Sequence, residues 1–201
     1  GPNTGGMGAY TPTPVLTNNI IDQVMNKIIE PTVSAMNKNN TPYKGVLFAG
    51  LMVTEKGPEL IEYNIRFGDP ETQAMLMLLK SDLLSIMLDT VNGELKNTKV
   101  EWKDETSLTV VLANKGYPLN YKTDSIITGI EDAEKDKNIK VFHAGTRLEN
   151  NELIASGGRV LNVTATGLSI KEAREKAYNA IEKIKFETKY FRKDIAWRAM
   201  P

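Results

Sequence analysis

Four apolar runs of strand length occupy the later part of this sequence: Ser107–Ala113, Ser125–Ile130, Lys140–Thr146 and Arg159–Ala165. Each is set off by turn-forming residues, and runs this short, so bounded, predict strands. Ser169 and Glu172 then form a capping box, opening a helix with Ile170, Ala173, Ala177, Ile181 and Ile184 on one side. The first ninety residues have a different texture. Residues 1–14 hold four glycines and three prolines and read as an irregular loop. Thr17, Asn18 and Asn19 are N-cap types, and Ile20, Val24, Ile28 with Ile21, Met25, Ile29 follow at a spacing of four, which predicts an amphipathic helix. Pro31 kinks that helix or begins a new one. Gly45–Val53 and Leu60–Arg66, joined by the turn Thr54–Pro58, predict a β-hairpin. Asp69 and Pro70 read as N-cap and first residue of a helix, and Ser81 opens another through Leu84, Met87, Leu88 and Val91. The polar stretch 92–105 is the candidate boundary. The chain is therefore expected to be α+β in two parts, 1–95 and a β-rich 96–201.

Composition removes whole classes of function. The 201 residues hold 25 basic and 25 acidic side chains, so the formal net charge is zero and no broad basic field exists to attract nucleic acid or an anionic membrane. There is no cysteine, which excludes disulfides, thiolate nucleophiles and Cys-ligated zinc, and which fits a reducing, cytoplasmic setting. The single histidine, His143, excludes a multi-His metal site, and its place in an apolar strand favours a hydrogen-bonded structural role over that of a base. No apolar run approaches the length of a membrane span, and no signal peptide is visible. Any anion site must be local.

The strand Leu60–Arg66 carries the most chemistry. Side chains alternate across a strand, so Glu62, Asn64 and Arg66 share one face, about 6.6 Å apart in succession. Carboxylate and amide oxygens are ligands suited to Mg²⁺, and a guanidinium suits phosphate oxygens. Ile61, Tyr63 and Ile65 take the other face, toward the core. On spacing alone a solvated strand face with an incidental polar row stays open. Arg66–Gln73 then joins this strand to a helix N-terminus, where backbone N–H groups suit an anion; Asp69 as a plain helix cap is the competing reading. The stretch Gly1–Gly8 could form a backbone anion nest, but no Gly-Lys-Ser/Thr follows, so it is not a P-loop. Gly157-Gly158-Arg159 and Phe191–Arg198 place cations beside constrained backbone, as phosphate sites do and as surface ion pairs do more often.

Together these residues resemble a known family. Arg66-Phe67-Gly68-Asp69-Pro70-Glu71-Thr72-Gln73 is similar to the signature of the phosphoribosylamine–glycine ligases, or glycinamide ribonucleotide synthetases. Gly1–Tyr10, Val141–Thr146, Gly157–Leu161 and Phe191–Ile195 match the same family in the same order. The resemblance implies an ATP-grasp fold. It further implies that glycine is joined to 5-phosphoribosylamine, with ATP converted to ADP and phosphate through a glycyl phosphate, in purine biosynthesis.

By motif, the resemblance gives Glu62 and Asn64 to a Mg²⁺ or Mn²⁺ ion, and Arg66, with Asp69, to catalysis. It places Asn3, Thr4, Gly5 and Gly6 on the substrate side. Arg159 first, then Arg192 and Lys193, are expected at the ribose phosphate. Complete members begin with a Rossmann-like domain and an ATP-grasp lid, neither of which is found in these residues. The chain reads as the second half of an ATP-grasp core followed by a barrel-sandwich-like, single-hybrid-type domain. It is expected to need the missing N-terminal half and to be inactive alone. Two rivals stand beside this reading. One is another ATP-grasp carboxylate–amine ligase, which the Arg66–Gln73 signature disfavours; the other is a non-enzymatic binding or assembly module.

Overall fold

The computed structural model describes residues 4–200. Its contacts divide the chain into two compact units. A sheet unit comprises the residues up to Thr11, Asp69–Leu78 and everything from Lys103 on; a helix–hairpin unit comprises Pro12–Gly68 and Leu79–Trp102. The division is discontinuous in sequence and does not follow a single cut near residue 95. The reason is that β1 (Gly8–Thr11), within the stretch expected to be irregular, pairs antiparallel with a strand of the later part. Its glycines and neighbouring prolines hide a strand that forms only because a partner edge is available.

In the helix–hairpin unit, α1 (Asn18–Val24) starts at Thr17, whose hydroxyl accepts the Ile20 N–H. A π-helical turn, Met25–Ile29, leads directly into α2 (Glu30–Lys38), with Pro31 in its first turn. A proline lacks the N–H donor and crowds the carbonyl four residues back, and a wider turn just ahead of it accommodates both. The Ile28 carbonyl accepts from Thr32 Oγ1 at 2.7 Å and from Tyr63 OH at 3.2 Å.

Strands β2 (Phe48–Thr54) and β3 (Gly57–Asn64) form the expected hairpin. Their register slips between Gly50 and Leu51: Gly50 faces Glu62, Leu51 faces Leu60, and Ile61 is left without a partner. This bulge breaks the two-residue period. Ile61 is 63% exposed and Ile65 is 76% exposed, so neither faces a core in this chain, contrary to the alternation; only Tyr63 is partly buried.

Downstream, α3 (Glu71–Leu76) belongs to the sheet unit. In α4 (Leu83–Asn92) the N-cap is Asp82, which accepts the Ser85 N–H at 2.7 Å, rather than the expected Ser81. Ser81 Oγ instead accepts from Glu101 N and donates to the Lys99 carbonyl. Gly93, in the left-handed region, ends the helix.

The sheet unit continues with β4 (Thr106–Asn114), β5 (Ser125–Ile126), α5 (Ile130–Ala133), β6 (Ile139–His143), β7 (Thr146–Glu149), β8 (Glu152–Ala155), β9 (Arg159–Gly167), α6 (Ile170–Lys183) and β10 (Lys189–Tyr190). One sheet runs β1-β4-β9-β6, with β10 also on β4, and every pairing is antiparallel. A second has the order β5-β8-β7. The run Ser125–Ile130 yields only the short β5, and Lys140–Thr146 divides between β6 and β7. The fold class is α+β with open sheets.

Register sets the core. Leu108, Val110 and Leu112 of β4 align with Ala165, Val163 and Leu161 of β9, and Ile139 and Val141 of β6 continue the rows. On this face α6 lays Ala173, Ala177, Ala180 and Ile181, all essentially unexposed; Ser169 caps it by accepting the Glu172 N–H. The opposite face is buried yet polar, with Ser107, Thr109, Asn162 and Thr164; Thr164 donates to Thr109 across the strands at 2.8 Å. Leu161→Ala should lower the unfolding free energy by about 2–5 kcal/mol in urea denaturation. Leu148→Ala, at a residue 72% exposed, should stay within about 0.5 kcal/mol.

Candidate active site

Glu62 and Asn64 project from one face of β3, and Asn64 Nδ2 donates to Glu62 Oε1 at 3.0 Å. Across the hairpin stands Gly50. A Cβ there would lie 3.1 Å from Glu62 Cγ and 3.5 Å from the Glu62 carbonyl oxygen. The glycine thus leaves room for the carboxylate stem, a role that the strand pattern alone does not disclose. Among the described residues no group of three or more His, Cys, Asp or Glu side chains could hold a metal. The Glu62–Asn64 pair offers one carboxylate and one amide oxygen. A Mg²⁺-like ion keeps several waters, takes phosphate oxygens and uses only one or two protein carboxylates, so this donor set fits it.

Arg66 departs from the expected row. Strand β3 ends at Asn64, and Ile65 and Arg66 lie in a bend. Arg66 Nη1 donates to the Phe67 carbonyl at 3.0 Å. Alternation therefore places two residues on the polar face rather than three.

The sheet unit gathers a second set. Asp69 is not the cap of α3; Pro70 holds that position, with no side-chain cap bond. The Asp69 carboxylate accepts from Arg159 Nη2 at 2.8 Å and from Gln73 Nε2 at 3.0 Å. Arg159 Nη1 donates to the Asp69 carbonyl at 2.8 Å and to the Gly6 carbonyl at 3.2 Å. Gly6, Asp69 and Arg159, remote in sequence, thus meet directly. Gly5 is exposed, and Asn3 lies outside the described residues.

A third set surrounds a cleft of about 560 Å³ in the same unit, lined by Thr4, Lys115, Tyr117, Tyr190 and Arg192 among others. The 192–195 backbone is tied to α6. Tyr178 OH donates to the Arg192 carbonyl at 2.7 Å, and Arg174 donates to the carbonyls of Lys193 and Ile195. Arg174 also stacks 4.7 Å from the Tyr178 ring centre, and burial raises the Tyr178 pKa. Arg192 grips Asp194 with two nitrogens, at 2.9 and 2.6 Å. Lys193 and Lys115 have no ion-pair partner among the described residues. Lys115 escaped the sequence reading; its signal was a cation in a Lys-Gly-Tyr-Pro turn at the end of a buried strand. His143 is exposed and bonds Thr146 Oγ1 through Nδ1 at 3.0 Å.

A family model described as the ATP-grasp (A) domain of phosphoribosylglycinamide synthetase matches residues 1–72, and one described as the C domain of that enzyme matches residues 107–198. The chain belongs to the phosphoribosylglycinamide synthetase family. A phosphoribosylamine–glycine ligase of Agrobacterium fabrum is 54% identical over the whole chain, which covers 47% of that protein. The chloroplastic phosphoribosylamine–glycine ligase of Arabidopsis thaliana is 50% identical over the whole chain, which covers 38% of it. The chain thus spans about half, or less, of the length of these synthetase relatives. The crystal structure of the Thermotoga maritima phosphoribosylamine–glycine ligase superimposes with a TM-score of 0.83 at 34% identity, covering 96% of this chain and 47% of that one. A Kluyveromyces lactis urea carboxylase shares the fold at 17% identity and a TM-score of 0.65, over 96% of this chain and 16% of that one.

In this chain the hydrogen bond from Arg192 holds the Asp194 carboxyl below the usual aspartate range. A depressed carboxylate pKa contributes stability above the unfolded-state value, and that contribution is lost as pH falls through the folded value. A carbon-detected titration should therefore show Asp194 protonating below an ordinary aspartate, and Arg192→Ala should move its midpoint up.

Proposed function

We propose that this chain is the metal- and phosphate-handling half of an ATP-dependent ligase that joins glycine to 5-phosphoribosylamine in purine biosynthesis. The observation that carries the reading is about 50% identity, along the entire chain, to proteins named phosphoribosylamine–glycine ligase. The glycine carboxylate attacks the γ-phosphorus of ATP, giving glycyl phosphate and ADP. The amine of phosphoribosylamine then attacks the acyl carbon, phosphate leaves, and the nitrogen loses a proton. Neither step needs a side-chain nucleophile, in keeping with a chain that has no cysteine and one histidine.

Glu62 and Asn64 hold the divalent cation, Mg²⁺ or Mn²⁺. When bound, that ion neutralises charge on the ATP phosphate oxygens. Arg66 stabilises the charge on the phosphoryl group in transfer, which is the electrostatic work such chemistry requires. Asp69 and the loop Thr4, Gly5, Gly6 lie on the substrate side. Arg192 and Lys193, joined by Lys115, supply the cationic wall for the ribose phosphate. Arg159, expected first for that phosphate, has its two terminal nitrogens engaged by Gly6 and Asp69.

The rest of the length that the relatives carry is needed for turnover, and the reaction belongs in the cytoplasm. Met52, Leu60, Ile61, Ile65, Leu84, Leu88 and Val91 are all exposed in the helix–hairpin unit, and an apolar surface of this kind supports a covering segment. Among the described residues no helix is long and apolar enough to cross a membrane.

The test is an assay with ATP, glycine and 5-phosphoribosylamine on the protein completed to its relatives' length. ADP release should depend on glycine, and bicarbonate or formate should not replace it. Arg66→Ala should lower kcat about 10²–10³-fold. Glycine-independent ADP release, or acceptance of bicarbonate in place of glycine, would sink the reading. Gly50→Val should weaken Mn²⁺ binding, followed by paramagnetic relaxation, by crowding Glu62 while leaving the hairpin paired.

A further inference from the structure

We propose that Arg159 is a positioning residue: its guanidinium clamps the loop at Gly6 to the turn at Asp69, and it does not bind the substrate phosphate. The inference rests on the functional reading above, which puts that loop and turn on the substrate side.

Three contacts engage both terminal nitrogens, using three of the five guanidinium N–H donors. Nη1 is shared between the Gly6 and Asp69 carbonyls, and Nη2 reaches the Asp69 carboxylate. The side chain is 27% exposed, and the carboxylate in contact with it balances its charge. A phosphate approaching this guanidinium would have to displace that carboxylate or be repelled by it, whereas carbonyl oxygens bind the cation at no such cost. An arginine joining two chain segments through carbonyls and one carboxylate is built as a brace.

Both sides of the clamp are shaped for it. Gly6 has φ +69°, and a Cβ there would stand 2.6 Å from Arg159 Nη1, so only glycine allows the guanidinium this close. Asp69 is oriented by Gln73 from the first turn of α3. The base of Arg159 is equally constrained. Buried Asn114 donates through Nδ2 to the Gly157 carbonyl at 2.8 Å and through its backbone to the Gly158 carbonyl at 2.9 Å. Gly145 N donates to the Arg159 carbonyl at 2.9 Å. The arginine is anchored in the sheet before it reaches out, and the glycine pair preceding it is packed too closely for side chains: a Cβ at Gly157 would stand 2.8 Å from Gly145 Cα, and one at Gly158 2.3 Å from the Tyr117 ring.

Hydrogen exchange on the chain itself gives the first test. Arg159→Ala should speed amide exchange at 4–8 and 69–73 by tenfold or more, with the interiors of β4 and β9 unchanged. Arg159→Lys, which keeps the charge but lacks the fork, should fall between wild type and alanine. Asp69→Asn serves as a second variant should alanine at 159 disturb folding, and should loosen the same two segments. In the full-length ligase, Arg159→Ala should lower kcat while the KM for 5-phosphoribosylamine stays within about twofold. Unchanged exchange at 4–8 and 69–73, or a tenfold rise in that KM at constant kcat, overturns the proposal. If the full-length wild type proves not to be a ligase, the functional reading fails, and the exchange data still decide whether the clamp exists.

Discussion

Strand β4 is buried along almost its whole length, and a buried strand must find partners for every backbone N–H and C=O on both edges. One edge is filled by β9. The other is shared by two short strands from opposite ends of the sequence, β1 and β10. Val111 N donates to the Met7 carbonyl and Lys115 N to the Thr188 carbonyl, extending the ladder beyond the strands. The obligation to satisfy one strand therefore brings the glycine-rich start and the basic end of the chain together. Thr4, Lys115 and Arg192 share a cleft for that reason.

The electrostatics follow the same local economy. A chain of zero net charge can still bind an anion, but only where cations are set individually. Here Arg159 is matched by Asp69 and Arg192 by Asp194. Each pair fixes a guanidinium in direction, and each leaves a different amount of donor capacity: Arg159 donates from both terminal nitrogens, while Arg192 keeps Nη1. Lys115 lines the cleft and its charge is not answered by an ion pair among the described residues. The distinction between a brace and a ligand lies in these partners, not in residue type.

The helix–hairpin unit has another logic. Its helices bury no residue fully, and its hairpin face carries exposed isoleucines. The Glu62–Asn64 pair nevertheless sits on a regular, paired segment of β3, with Gly50 opposite to admit the carboxylate. The proposed metal-ligand pair is thus set by strand geometry local to the hairpin, in a unit whose apolar side chains stay largely exposed in this chain.

Much of this was legible in the residues. The strands β4 and β9, the capped helix α6, the hairpin and the Glu62–Asn64 pairing all follow from period, capping and turn chemistry, because those signals act over a few neighbouring residues. The family motifs marked Asp69, Gly6 and Arg159 singly, Asp69 for catalysis, Gly6 for the substrate loop and Arg159 for the ribose phosphate, without joining them. What local signals could not carry was decided by tertiary contacts. Gly8–Thr11 becomes a strand only against the edge of β4. A bulge at Gly50 and Leu51 turns Ile61 outward, and the early end of β3 removes Arg66 from the polar row. Asp69 forgoes its helix cap for a salt bridge 90 residues away. Sequence determines which groups are present and how each segment is inclined to fold; only packing decides which of those groups are used up holding the protein together and which are left to meet a ligand.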